Sequence, residues 1–154
     1  MFKEFGTRML KSLKSLIARN KPPSEHELPL HLRTGSAAEK IARQHLEKKG
    51  LITVSTNESS RFGEIDIIML EEKELGDSLV FVEVRFRSQS KFGGPLESIN
   101  RSKQAKLIKA ANFYLSQHPE FSNHFCRFDV VTIEANKNNI QWTPSAFTLE
   151  GFRD

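Results

Sequence analysis

The chain has 154 residues, 38% of them hydrophobic and 27% charged, with a formal net charge of +4. That is enough for one domain with a real core and too little for two. No apolar run approaches the roughly 18 residues of a membrane span, and the single cysteine, Cys126, excludes an internal disulfide framework. One cysteine and five scattered histidines also give no zinc-ligand spacing. A reducing, cytoplasmic location is the expectation that follows from the lone cysteine.

Charge is unevenly spread. Residues 1–33 hold seven Lys/Arg and three Glu, which leaves the rest of the chain with equal numbers of each sign. Within that neutral remainder, the span from Arg85 to Lys109 carries seven bases and one acid, Glu97. A polyanion-binding face and an ordinary solvated basic surface both fit this pattern.

The first segment, MFKEFGTRMLKSLKSLIAR, places Phe2, Phe5, Met9, Leu13, Leu16 and Ile17 at helical spacing. Lys3, Arg8, Lys11, Lys14 and Arg19 are interleaved, so a basic amphipathic helix is expected. It lacks the dense apolar centre and small-residue cleavage site of a secretory signal. Residues 1–34 therefore read as a helix and linker preceding a domain at 35–154. An arm on DNA, an anchor on an anionic membrane surface, and a helix docked on protein are the three uses that fit.

Residues 35–49 are expected to form a helix with an apolar stripe of Ala38, Ile41, Ala42, His45 and Leu46, ended by Gly50. Leu51–Thr56 is rich in strand formers, and Asn57–Phe62 reads as a polar turn or loop. Gly63–Leu70 and Ser78–Arg87 are the second and third strands, joined by the acidic reversal Glu71–Asp77. A loop with Gly93-Gly94-Pro95 follows. A long helix then runs from Ile99 or Asn100 to Gln117, stopped near His118-Pro119. Cys126–Glu134 is a fourth strand and Ile140–Thr143 a fifth. The order is helix, three strands, helix, strand, so a single α/β layered domain with a mixed sheet is expected.

The third strand reads LVFVEVRFR, with charge in the middle of an apolar run. Alternation puts Leu79, Phe81, Glu83, Arg85 and Arg87 on one face. In the second strand it puts Glu64, Asp66, Ile68 and Leu70 on one face, opposite Ile65, Ile67 and Met69. Asp66 and Glu83 then converge if the strands are neighbours. Two such carboxylates repel unless a cation lies between them. Mg²⁺ suits carboxylate oxygens, and an ion pair of either acid with Arg85 suits them equally well.

An acid on one strand and Glu-x-base on the next resembles the Asp…Glu-x-Lys signature of restriction-endonuclease-like nucleases, whose core follows the same αβββαβ order. A closer resemblance covers about residues 35–134. Gly35, Ala38-Glu39, Ala42, Leu46, Gly50, Asn57, Gly63-Glu64-Ile65-Asp66, Phe81-Val82-Glu83-Val84-Arg85, Lys103-Gln104 and Arg127-Phe128-Asp129-Val130-Val131 together are similar to the YraN family. That family resembles archaeal Holliday-junction resolvases.

The resemblance implies a restriction-endonuclease-like α/β core and a metal set of Glu39, Asp66 and Glu83 holding Mg²⁺ or Mn²⁺. It implies cleavage of DNA phosphodiesters, at branches such as Holliday junctions, and a homodimer that sets two sites against two strands. Asp66, Glu83, Arg85 and Lys103 are then the catalytic residues. Arg85, Arg87, Lys91, Arg101, Lys106 and Lys109 are the expected contacts to nucleic acid. Arg85 departs from the signature's Lys; it keeps its proton and supplies only charge. A nucleic-acid-binding protein without efficient cleavage, and an interaction module using the N-terminal helix, are the alternatives.

Overall fold

The computed structural model describes residues 35–87, 99–134 and 139–148. The expected N-terminal helix and linker, the glycine-rich loop and Lys91 lie outside the described residues. The elements are α1 (Gly35–Lys48), β1 (Ile52–Ser60), β2 (Gly63–Glu71), β3 (Ser78–Arg87), α2 (Arg101–Gln117), a short 3-10 turn (Pro119–Phe121), β4 (Phe125–Glu134) and β5 (Asn139–Phe147). The expected α/β class and mixed sheet are both found.

The five strands lie in chain order, β1-β2-β3-β4-β5. All neighbours are antiparallel except β3 and β4, which pair in parallel over ten residues from Ser78–Phe125 to Arg87–Glu134. A parallel pair needs a crossover, and α2 provides it. β3 is central and covered on both faces, so it reads as a nearly continuous apolar run.

Each helix closes one face. Ala38, Ala42 and Leu46 of α1 pack on Ile67, Met69, Val80, Val82, Val131 and Ile133. Leu107, Ala110, Ala111 and Tyr114 of α2 pack on Ile65, Ile68, Leu79, Phe81 and Phe128. Leu46 is fully buried, a contribution of about 1.5–3 kcal/mol. Asn100 caps α2 by accepting the Lys103 N–H at 2.9 Å, which satisfies a donor that has no partner within the helix.

Two features differ from the sequence expectation. Asn57–Ser60 is strand rather than loop: Glu58, Ser59 and Ser60 pair with Ile65, Glu64 and Gly63, and only Arg61-Phe62 forms the turn. The polar composition reflects an edge strand whose side chains meet solvent. Strict alternation in β2 also fails. Ile65 packs with Ile68 against α2, while Ile67 and Met69 face α1. Asn57, opposite Asp66 between the Thr56–Ile67 and Glu58–Ile65 pairs, has φ 53°. That left-handed kink, which Asn tolerates better than most residues, accounts for the break in facing at Asp66.

Candidate functional site

The β2–β3 ladder ends with Ile67 opposite Val82. One step further in the same register sets Asp66 opposite Glu83, where the strands part. Asp66 Oδ2 accepts the Val84 N–H at 2.7 Å, taking up with a side chain a donor the ladder no longer serves. Both carboxylates therefore stand at the mouth of a split between two central strands, the position the alternation argument reached for them.

Glu83 is 4% exposed. Its Oε1 lies 3.2 Å from Lys103 Nζ and 3.5 Å from Arg85 Nε. The Arg85 contact is within ion-pair range but lacks hydrogen-bond geometry, and Arg85 Nε is buried without a hydrogen-bond partner. Glu83 Oε2 is buried and unpartnered as well, and so is Thr132 Oγ1. Thr132 stands beside Arg85 in the parallel β3–β4 register. Among the described residues four buried side-chain polar atoms lack a hydrogen bond, and three of them belong to this one group. Folded proteins rarely leave such atoms unpaired, and an ordered water, an ion or a catalytic role is the usual reason for a cluster of them.

The electrostatics agree. Burial pushes the Glu83 carboxyl above the ordinary glutamate range, and the charge of Asp66 pushes it further; Lys103 and Arg85 oppose this. Burial likewise raises Asp66, against the Val84 N–H and Lys103. Two acids each made reluctant to ionise by burial are a site at which a cation is welcome.

Glu39 is half-buried on α1, raised by burial and then by Asp66, with a hydrogen bond from the Asn57 side chain acting the other way. It approaches Asp66 from the α1 side, whereas Glu83 meets Lys103 on the α2 side. Among the described residues no three His, Cys, Asp or Glu side chains gather as a metal cage. Mg²⁺ is commonly held by one or two carboxylates with several waters and a substrate phosphate. Asp66 and Glu83, with Oε2 of Glu83 unsatisfied, fit that open mode and not a closed protein cage.

The remaining expected residues divide by position. Lys103 is on Glu83. Arg101, Lys106 and Lys109 are exposed on α2, and Arg87 is half-buried at the end of β3. Glu64 is exposed and accepts from Ser59 Oγ at 3.0 Å. Sequence reasoning missed Thr132 and the left-handed kink at Asn57. An asparagine in mid-strand was a usable signal for the second; nothing in the sequence reveals the parallel register that brings Thr132 to Arg85.

A second polar group is structural. Asp129 is fully buried and accepts from Trp142 Nε1 at 2.9 Å, the Ser145 N–H at 2.9 Å and Arg127 Nε at 3.0 Å. Arg127 also pairs with Glu71, which in turn binds Lys73 at 2.9 Å. With its donors committed inward, Arg127 ties β2, β4 and β5 together.

Residues 38–133 match the family described as Uncharacterised protein family UPF0102. A UPF0102 protein of Pseudomonas fluorescens is 41% identical over 117 residues, covering 76% of this chain and 94% of the relative. Those of Ectopseudomonas mendocina and Stutzerimonas stutzeri are 45% and 46% identical, covering 76% and 74% of this chain and 96% and 93% of theirs. The chain belongs to the UPF0102 family, the one its sequence resembles under the name YraN.

Proposed function

We propose that this member of the UPF0102 (YraN) family is a divalent-metal-dependent nuclease that hydrolyses DNA phosphodiester bonds, with branched DNA as its substrate. The observation that carries the reading is the cluster of unsatisfied buried groups on Glu83, Arg85 and Thr132 beside a second raised carboxylate, Asp66. The helix–three strands–helix–strand order is that of restriction-endonuclease-like cores, which supports the same conclusion by analogy of fold alone.

Asp66 and Glu83 would hold the ion. Bound Mg²⁺ or Mn²⁺ supplies charge neutralisation at the scissile phosphate and an acidified water. The chain's own part is positional and electrostatic. The Val84 N–H fixes the Asp66 carboxylate, so its second oxygen has a set direction. Arg85 and Lys103 flank Glu83 and present fixed positive charge to phosphoryl oxygens as negative charge builds there.

Cleavage of labelled single strand, duplex, flap, splayed fork and four-way junction tests the reading, each with EDTA, Mg²⁺ and Mn²⁺. Metal-dependent cuts lost in both Asp66→Asn and Glu83→Gln are expected. Cuts that survive either substitution overturn the assignment. A specific observation favours a second reading, binding without efficient cleavage: two cations already share Glu83 Oε1. Tight, salt-sensitive binding with no cleavage on any substrate would select it.

A further inference from the structure

The turn between β1 and β2 bends towards α2 and carries an aromatic and cationic group that the site above does not use. Phe62 and Phe113 meet edge to face with ring centroids 5.9 Å apart. The Arg61 guanidinium lies over both rings, 4.8 Å from the Phe62 centroid and 5.9 Å from that of Phe113. Phe113 is 37% exposed and Arg61 is exposed, so the group is presented to solvent although Phe62 reaches the α2-side core. The small cavity behind it, about 40 Å³ and lined by Glu58, Ser60 and Tyr114 among others, is water-sized. Whatever the group recognises lies on it and not in it.

A line of charge leads there from the candidate site. α2 contains Arg101, Lys103, Lys106 and Lys109 and no acidic residue. Lys106, Lys109 and Phe113 follow one another at three- and four-residue spacing along its exposed side. Neither lysine has an acidic partner among the described residues. Lys103 stands on Glu83 at one end of this side, and Phe113 lies ten residues, roughly 15 Å, along the helix axis. An extended single strand covers that distance in a few nucleotides.

We infer that Arg61, Phe62 and Phe113 form a stacking platform for an unpaired base of a single strand whose phosphates run along Lys106 and Lys109. The inference rests on the nucleic-acid reading of the candidate site and adds the form of substrate: a strand with free bases next to the cleaved position. Aromatic and guanidinium faces accept any base, because every base offers a π-face, while paired bases in a duplex keep theirs hidden. Two lysines without nearby acids supply the phosphate half of such a contact.

The test is binding by the full chain in EDTA to a labelled oligothymidylate and to an abasic strand of equal length. The two differ in bases and not in phosphates. Wild type is expected to favour the base-bearing strand on the order of 10-fold or more. Phe113→Ala should abolish that preference without weakening the abasic complex, and Phe113→Trp should keep it. Equal wild-type affinity for the two strands overturns the platform, as does an unchanged preference in Phe113→Ala accompanied only by a lower Tm, the result expected of a simple core cover. The same preparations are assayed for metal-dependent cleavage of the branched panel. Cleavage without any base preference removes the platform and leaves the nuclease; neither binding nor cleavage removes both.

Discussion

The Asp66 carboxylate and the Val84 amide, 2.7 Å apart, join two strands at the point where their ladder stops. One oxygen of Asp66 thus serves the fold while the other is left for a ligand. Asparagine can still accept the Val84 N–H, and alanine cannot. Asp66→Asn is expected to keep or raise Tm in EDTA and to lose the rise that Mg²⁺ gives wild type. Asp66→Ala should lower stability by about 1–3 kcal/mol through the stranded amide. Differential scanning calorimetry with and without Mg²⁺ separates the two; a Mg²⁺ response retained in Asp66→Asn would remove Asp66 from the metal set.

Lys103 competes with any cation for Glu83 Oε1 at 3.2 Å. Lys103→Met should therefore enlarge the Mg²⁺-induced rise in Tm while lowering single-turnover cleavage on the order of 100-fold. If cleavage is unaffected, Lys103 only neutralises Glu83 and takes no part in the chemistry.

Glu71 gives a pH dependence of known sign. Burial acts to raise its pKa, but hydrogen bonds from Arg127 and Lys73 outweigh this and hold it below the ordinary 4.5. Its contribution is fully present above that ordinary value and is lost as pH falls through the lower folded value. The stability gap between wild type and Glu71→Gln should therefore be constant near neutral pH and close below about pH 4.5. Urea midpoints across the acid range read it directly; a gap that widens on acidification contradicts the pairing.

Asp129 has no exposed surface and serves three donor residues on two strands. Removing it leaves Arg127 half-paired and the Trp142 and Ser145 N–H groups without an acceptor. Asp129→Ala is expected to cost about 3–5 kcal/mol in urea denaturation. A loss below 1 kcal/mol, on the order of a surface pair, would show that the network is not buried in solution.

What the sequence reveals follows the physics of each element. β3 is legible because a strand covered on both faces must be apolar, so its two charges stand out. The convergence of Asp66 and Glu83 is legible from alternation and a short connection, since a short acidic turn leaves β2 and β3 few alternatives to pairing. The outer half of β1 is not. Its pairing comes from backbone hydrogen bonds, and Asn, Glu and Ser at an edge look like any loop. The facing of Ile65 is harder to read for a related reason: one positive φ at Asn57 resets the hairpin, and the asparagine itself is the one mark it leaves in the sequence. The Asp129 network needs the β4–β5 register, with its shift between Phe128 and Val130, which no local pattern encodes.

The parallel β3–β4 pairing also sets an expected order of assembly. β1, β2 and β3 close through short local turns, so the Asp66–Glu83 arrangement can form early, whereas β4 joins only after the whole crossover has been looped back. Lys103 rides on that crossover. The acidic half of the site is thus expected to exist, briefly, with Arg85 but not Lys103 beside it, and a divalent ion present at that moment should speed folding as well as stabilise its product. Stopped-flow refolding with Mg²⁺ or EDTA measures this as a change in the folding limb, with Asp66→Asn as the unresponsive control.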